Sequence, residues 1–316
     1  DSSCYAAKES GRNRVHVWCE TDHAVHERRS QTKWATRLET ALDDGGFELY
    51  AQRIGALDTL FDGASNDPDG SSENTHAEIL LRLRDGEASP VLPGAFLPAA
   101  ERFNLISAID REVIRLAVTA LAEMMKAGKR LPRIAINLSP SSLRDGKLLV
   151  YIGRMLKEQR VPGEQLTFEL TETAAIFDLD QARVFFKGLK DLGCRVALDD
   201  VGSGFNSFHN LRQLPIDQIK IDGSYVRSVC ENPLDLAFVE AIQRIAEILN
   251  VKTVAEFVEN ELIREKMTSI GVHFLQGFGL HEPERLTMVA ATMQNSRVLS
   301  SAGAHLVSNP EIAQKG

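Results

Sequence analysis

Eight short apolar segments recur along this chain, and each carries a polar residue at or near its end. They begin at Phe47 (FELYAQRI), His76 (HAEILLRL), Arg133 (RIAINLS), Leu166 (LTFELTE), Arg195 (RVALDDV), Gln218 (QIKID), Lys252 (KTVAEFV) and His273 (HFLQGFG). Short apolar runs bounded by turn residues predict strands. Amphipathic helices are predicted between most of them. Ser107 with Asp110 predicts a capped start for a helix through Ile109, Val113, Leu116, Ala120 and Met124, stopped by Gly128. Asp178 predicts the cap of a helix that stops at Gly193. Leu236, Val239, Ile242, Ile245 and Leu249 form another apolar stripe, which stops at Asn250. Strands alternating with helices in this number predict an α/β chain, a closed (β/α)8 TIM-like barrel.

One connection breaks the pattern. Between the first two strands lies ALDTLFDGASNDPDGSSENT, rich in Gly, Ser, Asp and Asn and without helical period. A parallel neighbour needs a crossover, usually helical. A long polar hairpin fits better, so the first strand is expected to run antiparallel, in a modified barrel.

The 316 residues are 43% hydrophobic, enough for a large core without staples, and carry a formal charge of −8. That balance speaks against a binder of nucleic-acid polymers, which gain affinity from basic surfaces. It leaves room for a small anionic ligand, since metal ions can supply positive charge locally. Cys4, Cys19, Cys194 and Cys230 are spaced widely and irregularly, which reads as free thiols in a reducing compartment. No apolar run approaches the ~20 residues of a membrane span, and none reads as a signal peptide. A cytoplasmic protein is expected, or the cytoplasmic part of a membrane-anchored one. Ahead of the first strand, Trp34, Leu38 and Leu42 predict a one-faced helix, either a linker or a helix packed on the next domain.

In barrels of this kind the chemistry sits at the C-terminal ends of the strands. Here those ends carry Glu78, Asn137, Glu169, the pair Asp199 and Asp200, Lys220, Glu256 and Gln276. A single such carboxylate is usually a solvated terminus or a helix cap. Five of them on one rim repel one another strongly unless cations intervene. With two divalent ions they form an oxygen-rich site. Adjacent aspartates on a strand point to opposite faces, so both reach one site only if the chain turns there, and Gly202 and Gly204 permit such a turn.

These residues carry a resemblance. Over about residues 36–286 the chain resembles an EAL domain, with seven motifs in order. Glu78-Ile79-Leu80, followed by Leu81-Arg82, stands at the signature. Asn137-Leu138-Ser139, Glu169-Leu170-Thr171-Glu172 and Asp199-Asp200-Val201-Gly202 come next. Lys220-Ile221-Asp222, then Ala255-Glu256 with Glu259, and Gln276-Gly277 complete the series. The resemblance implies hydrolysis of cyclic di-GMP to linear pGpG by a two-metal mechanism, with Mg²⁺ or Mn²⁺. The alternative is a catalytically weak or silent cyclic di-GMP receptor that signals by conformational change. A third possibility is a barrel hydrolase for another phosphodiester.

Roles follow from the resemblance position by position. Glu78, Asn137, Glu169 and Asp199 are expected at one metal, and Asp199, Asp200 and Glu256 at the other. Lys220 is expected to hold the attacking water, with Glu256 assisting proton removal. Gln52, Leu80, Arg82, Asp222 and Gln276 are expected near the substrate, and Glu172 as the anchor of the loop after Asp200. The resemblance also implies domains: a remnant at 1–20 similar to the C-terminal tail of a GGDEF domain, a linker helix over 21–44, the EAL barrel over 45–294 and a tail over 295–316. Upstream GGDEF and sensor domains are implied as partners, and a homodimer formed by helices that the loop at 201–210 contacts. Several positions depart from the family: Arg53, Ile79, Leu83, Val201 for phenylalanine, and Phe257 for glycine. Phe257 comes directly after Glu256 on a predicted strand, so its side chain is expected to point away from the site, toward the surrounding helices.

Overall fold

The structure, a computed structural model, describes residues 23–56, 75–86, 89–129, 131–202 and 210–288, with side chains from Lys33 onward. The predicted hairpin loop, the first 20 residues and the C-terminal tail lie outside the described residues. The chain forms two compact units, one drawn from residues up to Glu48 and Leu81–Glu112, the other from Leu49–Leu80 and residues from Val113 onward.

The second unit holds the barrel strands, except for the start of the first strand (Phe47–Glu48) and the end of the second (Leu81–Leu83), which belong to the first unit. The strands are β1 (Phe47–Ala56), β2 (Thr75–Leu83), β3 (Arg133–Asn137), β4 (Leu166–Thr171), β5 (Arg195–Val201), β6 (Gln218–Ile221), β7 (Lys252–Ala255) and β8 (Phe274–Leu275). From β2 to β8 each strand pairs in parallel with the next. β1 runs antiparallel to β8, with Gly55 opposite Leu275 and Ala56 opposite Phe274. It also pairs with β2, which closes the ring. The expected modified barrel is the observed one.

Strands covered on both faces read as continuous apolar runs. Ile134, Ile136, Phe168, Val196, Leu198, Ile219, Ile221 and Val254 are all fully buried. The parallel register then sets the strand ends side by side: Asn137 faces Glu169, Thr171 faces Asp199, and Ile221 faces Ala255. A ninth strand, Glu284–Arg285, pairs antiparallel with the Tyr50–Ala51 stretch of β1. Two residues give no period, so the sequence carries no signal for it.

The helix boundaries follow local chemistry. Asp178 accepts from the Gln181 amide at the start of Leu179–Asp191, and Gly193 follows at φ 79°. Asn232 accepts from the Leu234 amide ahead of Pro233–Leu249, and Asn250 ends it in the left-handed region. Ser107 is a correction. The helix spans Ile106–Lys126, and the Leu105 carbonyl already accepts from Ala108 and Ile109. Ser107 is therefore inside the first turn rather than at the cap.

The first unit holds helix α1 (His23–Asp44) and helix α2 (Pro93–Arg102). Ala35, Leu38 and Ala41 form the buried stripe of α1. The Phe96 ring lies 6.4 Å from Trp34 and 6.2 Å from Phe47. Arg37 pairs with Asp85 at 2.9 Å. Within this unit the apolar stripe of α1 packs beside α2. Among the described residues no helix is long and apolar enough to cross a membrane.

Candidate active site

Lys220 is the centre around which the strand ends converge. It stands on β6 between Ile219 and Ile221 and is fully buried. Its Nζ lies 2.7 Å from Glu256, 2.9 Å from Glu169, 3.1 Å from Asp199 and 3.2 Å from Glu78. Burial works against its charge, but the surrounding carboxylates outweigh it and hold its pKa well above the ordinary lysine value. Buried charges persist only when paired, and one ammonium here serves four partners.

The carboxylates do not share the cation equally. Burial disfavours ionised Glu78, but Lys220 and hydrogen bonds from Gln276 and Asn137 overcome it and place its pKa below the usual range. Asn137 Nδ2 donates to Glu78 Oε1 at 2.6 Å, and Gln276 Nε2 donates to Oε2 at 2.7 Å. Burial holds Glu169 well above the usual range, with its carboxylate neighbours adding to the shift. Burial pushes Glu256 up to about 8, against the attraction of Lys220. Burial and then the neighbouring Asp199 push Asp200 up to about 6. With one lysine for five carboxylates, this cluster is short of positive charge.

Asp200 shows how two adjacent aspartates come to one side. The β5–β6 register shifts between Leu198 and Val201, and Asp200 itself sits at φ 54°. The turn is made at the second aspartate, ahead of the glycines, and Gly202 continues it at φ 106°. Oxygens of Asp199, Asp200 and Glu256 then lie within 4.8 Å of one another. That spacing and all-oxygen chemistry fit a hard divalent cation. Gln276 Oε1 is buried without a hydrogen-bond partner, an acceptor left for a donor or cation.

Glu172 accepts from the Gly202 amide at 2.9 Å, at the entrance to the segment it was expected to anchor. Tyr225 donates to the Gly202 carbonyl at 2.6 Å and stacks on Phe238, with ring centroids 4.3 Å apart. A Cβ at position 202 would lie 2.5 Å from Phe238 Cε1 and 3.0 Å from Tyr225 Cε2. Gly202→Ala is therefore expected to cost about 1–3 kcal/mol, combining a left-handed φ with an aromatic clash. Urea denaturation checks this; an unchanged midpoint would contradict the packing.

Gln52, Glu78, Leu80, Glu256 and Gln276 all line one cavity. The Gln52 amide is fixed at both ends: Nε2 donates to the His281 carbonyl at 2.9 Å, and Oε1 accepts from Gln276 at 3.0 Å. Arg82 stands two residues beyond Leu80 on β2 and donates to the Leu81 carbonyl at 2.9 Å. Asp222 caps the helix Gly223–Ser228 by accepting from Ser224 at 2.7 Å. Its nearness to Asp200 shows in the upward push it adds to that carboxyl.

Phe257 is the second correction. β7 ends at Ala255, so strand alternation does not govern the next two residues. Phe257 takes φ 53°, a region L-residues other than Asn and Asp seldom enter, and its side chain is 45% exposed. It lines the cavity beside Glu256, while its ring also rests against Gly223 and Arg227 of the helix Gly223–Ser228, so only the expected distance from the site fails. Phe278 and Glu259 line the same cavity. Phe278 carried no signal in the sequence, because an exposed aromatic in a loop looks like any other.

Comparison with known proteins agrees with this geometry. The EAL domain family profile matches residues 67–283. The cyclic di-GMP phosphodiesterase PdeB of Shewanella oneidensis is 36% identical over 286 residues, covering 90% of this chain and 32% of that protein. The cyclic di-GMP phosphodiesterase PdeF of Escherichia coli is 35% identical, over 82% of this chain and 33% of that protein. The chain thus spans about a third of the length of these curated relatives. Among solved structures, the PaMucR phosphodiesterase in complex with c-di-GMP matches with a TM-score of 0.72 and 30% identity, covering 81% of this chain and 99% of that one. The FimX EAL domain from Pseudomonas aeruginosa bound to c-di-GMP matches with a TM-score of 0.70 and 29% identity, covering 79% and 96%. With the profile spanning more than half its length and the motif residues gathered at one end of the barrel, the chain belongs to the EAL domain family.

Proposed function

We propose that this chain is a metal-dependent phosphodiesterase that opens cyclic di-GMP to linear pGpG. The observation that carries the reading is the convergence of Glu78, Glu169, Asp199 and Glu256 on Lys220, with Asp200 beside Asp199 and Glu256, and with Glu78 and Glu256 lining a cavity. Relatives named for this activity and structures named for this ligand support it. A silent receptor is the less favoured reading, since every carboxylate expected in the site is present and gathered there.

Asp199, Asp200 and Glu256 would hold one Mg²⁺ or Mn²⁺, and Glu78, Asn137 and Glu169 would share a second with Asp199. Bound there, the ions would make a water nucleophilic near neutral pH and neutralise phosphoryl charge. The chain's own groups do the rest. Lys220 is buried among the strand ends, and with the cations taking up the carboxylates its ammonium would hold and polarise a water. Glu256, 2.7 Å from the Lys220 ammonium, would assist proton removal from a water held there. Gln276 and Gln52 form a locked amide pair whose remaining acceptor, Gln276 Oε1, faces no protein donor. The reading includes upstream GGDEF and sensor domains and a weak homodimer.

Incubation with Mg²⁺ and a panel of cyclic mono- and dinucleotides tests this directly. Turnover of cyclic di-GMP is expected; turnover of another cyclic nucleotide alone would overturn the substrate.

The raised carboxyl groups also predict a pH dependence. A carboxyl whose native pKa is raised contributes stability that is full below its unfolded pKa and lost as pH rises through the native one. For Glu256 that window runs from 4.5 to about 8, and for Asp200 from 3.8 to about 6. The metal-free protein should therefore lose stability between about pH 4 and pH 8, and Mg²⁺ should stabilise it most at the alkaline end. Calorimetry across this range in chelator and in Mg²⁺ checks both. A metal effect that grows toward low pH would contradict it.

A further inference from the structure

Phe257 is an aromatic residue held where aromatics are normally absent. It sits in the left-handed region at φ 53° and keeps 45% of its surface exposed on the cavity wall. Strain of this kind persists only where surrounding structure over-determines it, and two contacts do so here. The Arg227 guanidinium lies over the ring, 4.0 Å from its centroid. The ring also rests on Gly223, where a Cβ would fall 2.0 Å from Phe257 Cδ2. Arg227 is itself tethered, with Nε 3.6 Å from Glu259 Oε1 on the same cavity wall. The ring can neither sink toward Gly223 nor swing past Arg227. Nearly half of a large apolar side chain is thus held in contact with water, which the hydrophobic effect opposes.

We propose that the Phe257 ring, braced by Arg227, is a specificity-determining stacking wall for a purine base of the cyclic dinucleotide. This rests on the proposed function and deepens it for a residue at which the chain departs from the family's glycine. A purine base is a flat apolar face with polar edges. The cavity wall combines Phe257 with Gln52 and Gln276, whose amides are linked to each other and fixed. The cation above the ring keeps it oriented, so little rotamer freedom remains to be lost on binding.

The test compares wild type with Phe257→Leu, Phe257→Trp and Arg227→Gln in Mg²⁺ with cyclic di-GMP. Loss of one base–aromatic stack corresponds to about a tenfold effect. Phe257→Leu should raise KM about tenfold, with a smaller fall in kcat. Arg227→Gln should raise KM about threefold, the part due to bracing. Phe257→Trp should keep KM within about twofold, and its added fluorescence relative to wild type should be quenched by cyclic di-GMP in chelator. An unchanged KM in Phe257→Leu, or emission from the introduced tryptophan that is indifferent to saturating cyclic di-GMP, overturns the inference while wild-type turnover still upholds the function. A wild-type protein that neither binds nor opens cyclic di-GMP overturns both.

Discussion

Replacing Lys220 with methionine is expected to destabilise the metal-free protein by about 3–5 kcal/mol and to reduce turnover by about 10²-fold or more. Methionine keeps the unbranched stem and removes only the charge. Glu78, Glu169, Asp199 and Glu256 all lie within 3.2 Å of the lost ammonium. Stripping the cation from a buried pair leaves an uncompensated charge, and here it leaves several. The carboxylates can respond by binding protons, so the destabilisation should shrink as pH falls toward about 5. Divalent cations should restore part of the stability without restoring turnover, because they neutralise the carboxylates but cannot replace a directed N–H. Urea denaturation at two pH values, with and without Mg²⁺, separates these effects. A variant as stable as wild type in chelator at pH 8 would show that Lys220 does not hold the cluster together.

Glu256→Gln should move stability and activity in opposite directions. The Glu256 carboxyl is pushed up to about 8, so glutamine mimics the protonated form that the metal-free protein prefers at neutral pH. Thermal stability in chelator should rise, most clearly near pH 8, while turnover falls by about 10²–10⁴-fold through loss of a proton acceptor and cation ligand. The stabilisation by Mg²⁺ should also weaken, since Asp199 and Asp200 would be left to hold the cation with a neutral partner. Glu78→Ala and Asp199→Asn should likewise abolish most turnover with the fold intact. Near-normal rates in any two of these variants at saturating metal would overturn the assignment.

Much of this was legible in the sequence because barrel geometry turns a one-dimensional pattern into a three-dimensional one. A polar residue at the end of each parallel strand must reach the same rim, so Glu78, Asn137, Glu169, Asp199, Lys220 and Gln276 could be grouped without coordinates. The antiparallel β1 was readable from a connection too polar for a crossover helix. What escaped lies where regular structure stops. Phe257 lies just past a strand that ends at Ala255, and the chain there is held by the Val258 amide bonded to the Gln276 carbonyl at 2.9 Å. Alternation has no force past that point. The turn at Asp200 was expected from the glycines, yet the bulge in β5 lets the aspartate itself adopt the positive φ. Ser107 misled because serine before an apolar stripe is a good cap signal, while the Leu105 carbonyl had already opened the helix.

Chromatography of cyclic di-GMP incubated with metal-stripped protein, before and after Mg²⁺ or Mn²⁺ is added back, tests the metal-dependent opening of the ring. No conversion is expected in chelator, with rapid formation of linear pGpG as the main product once metal is present and loss of that product in Asp199→Asn. GMP released from the outset without a linear intermediate, or cyclic di-GMP left intact at saturating metal, would contradict it.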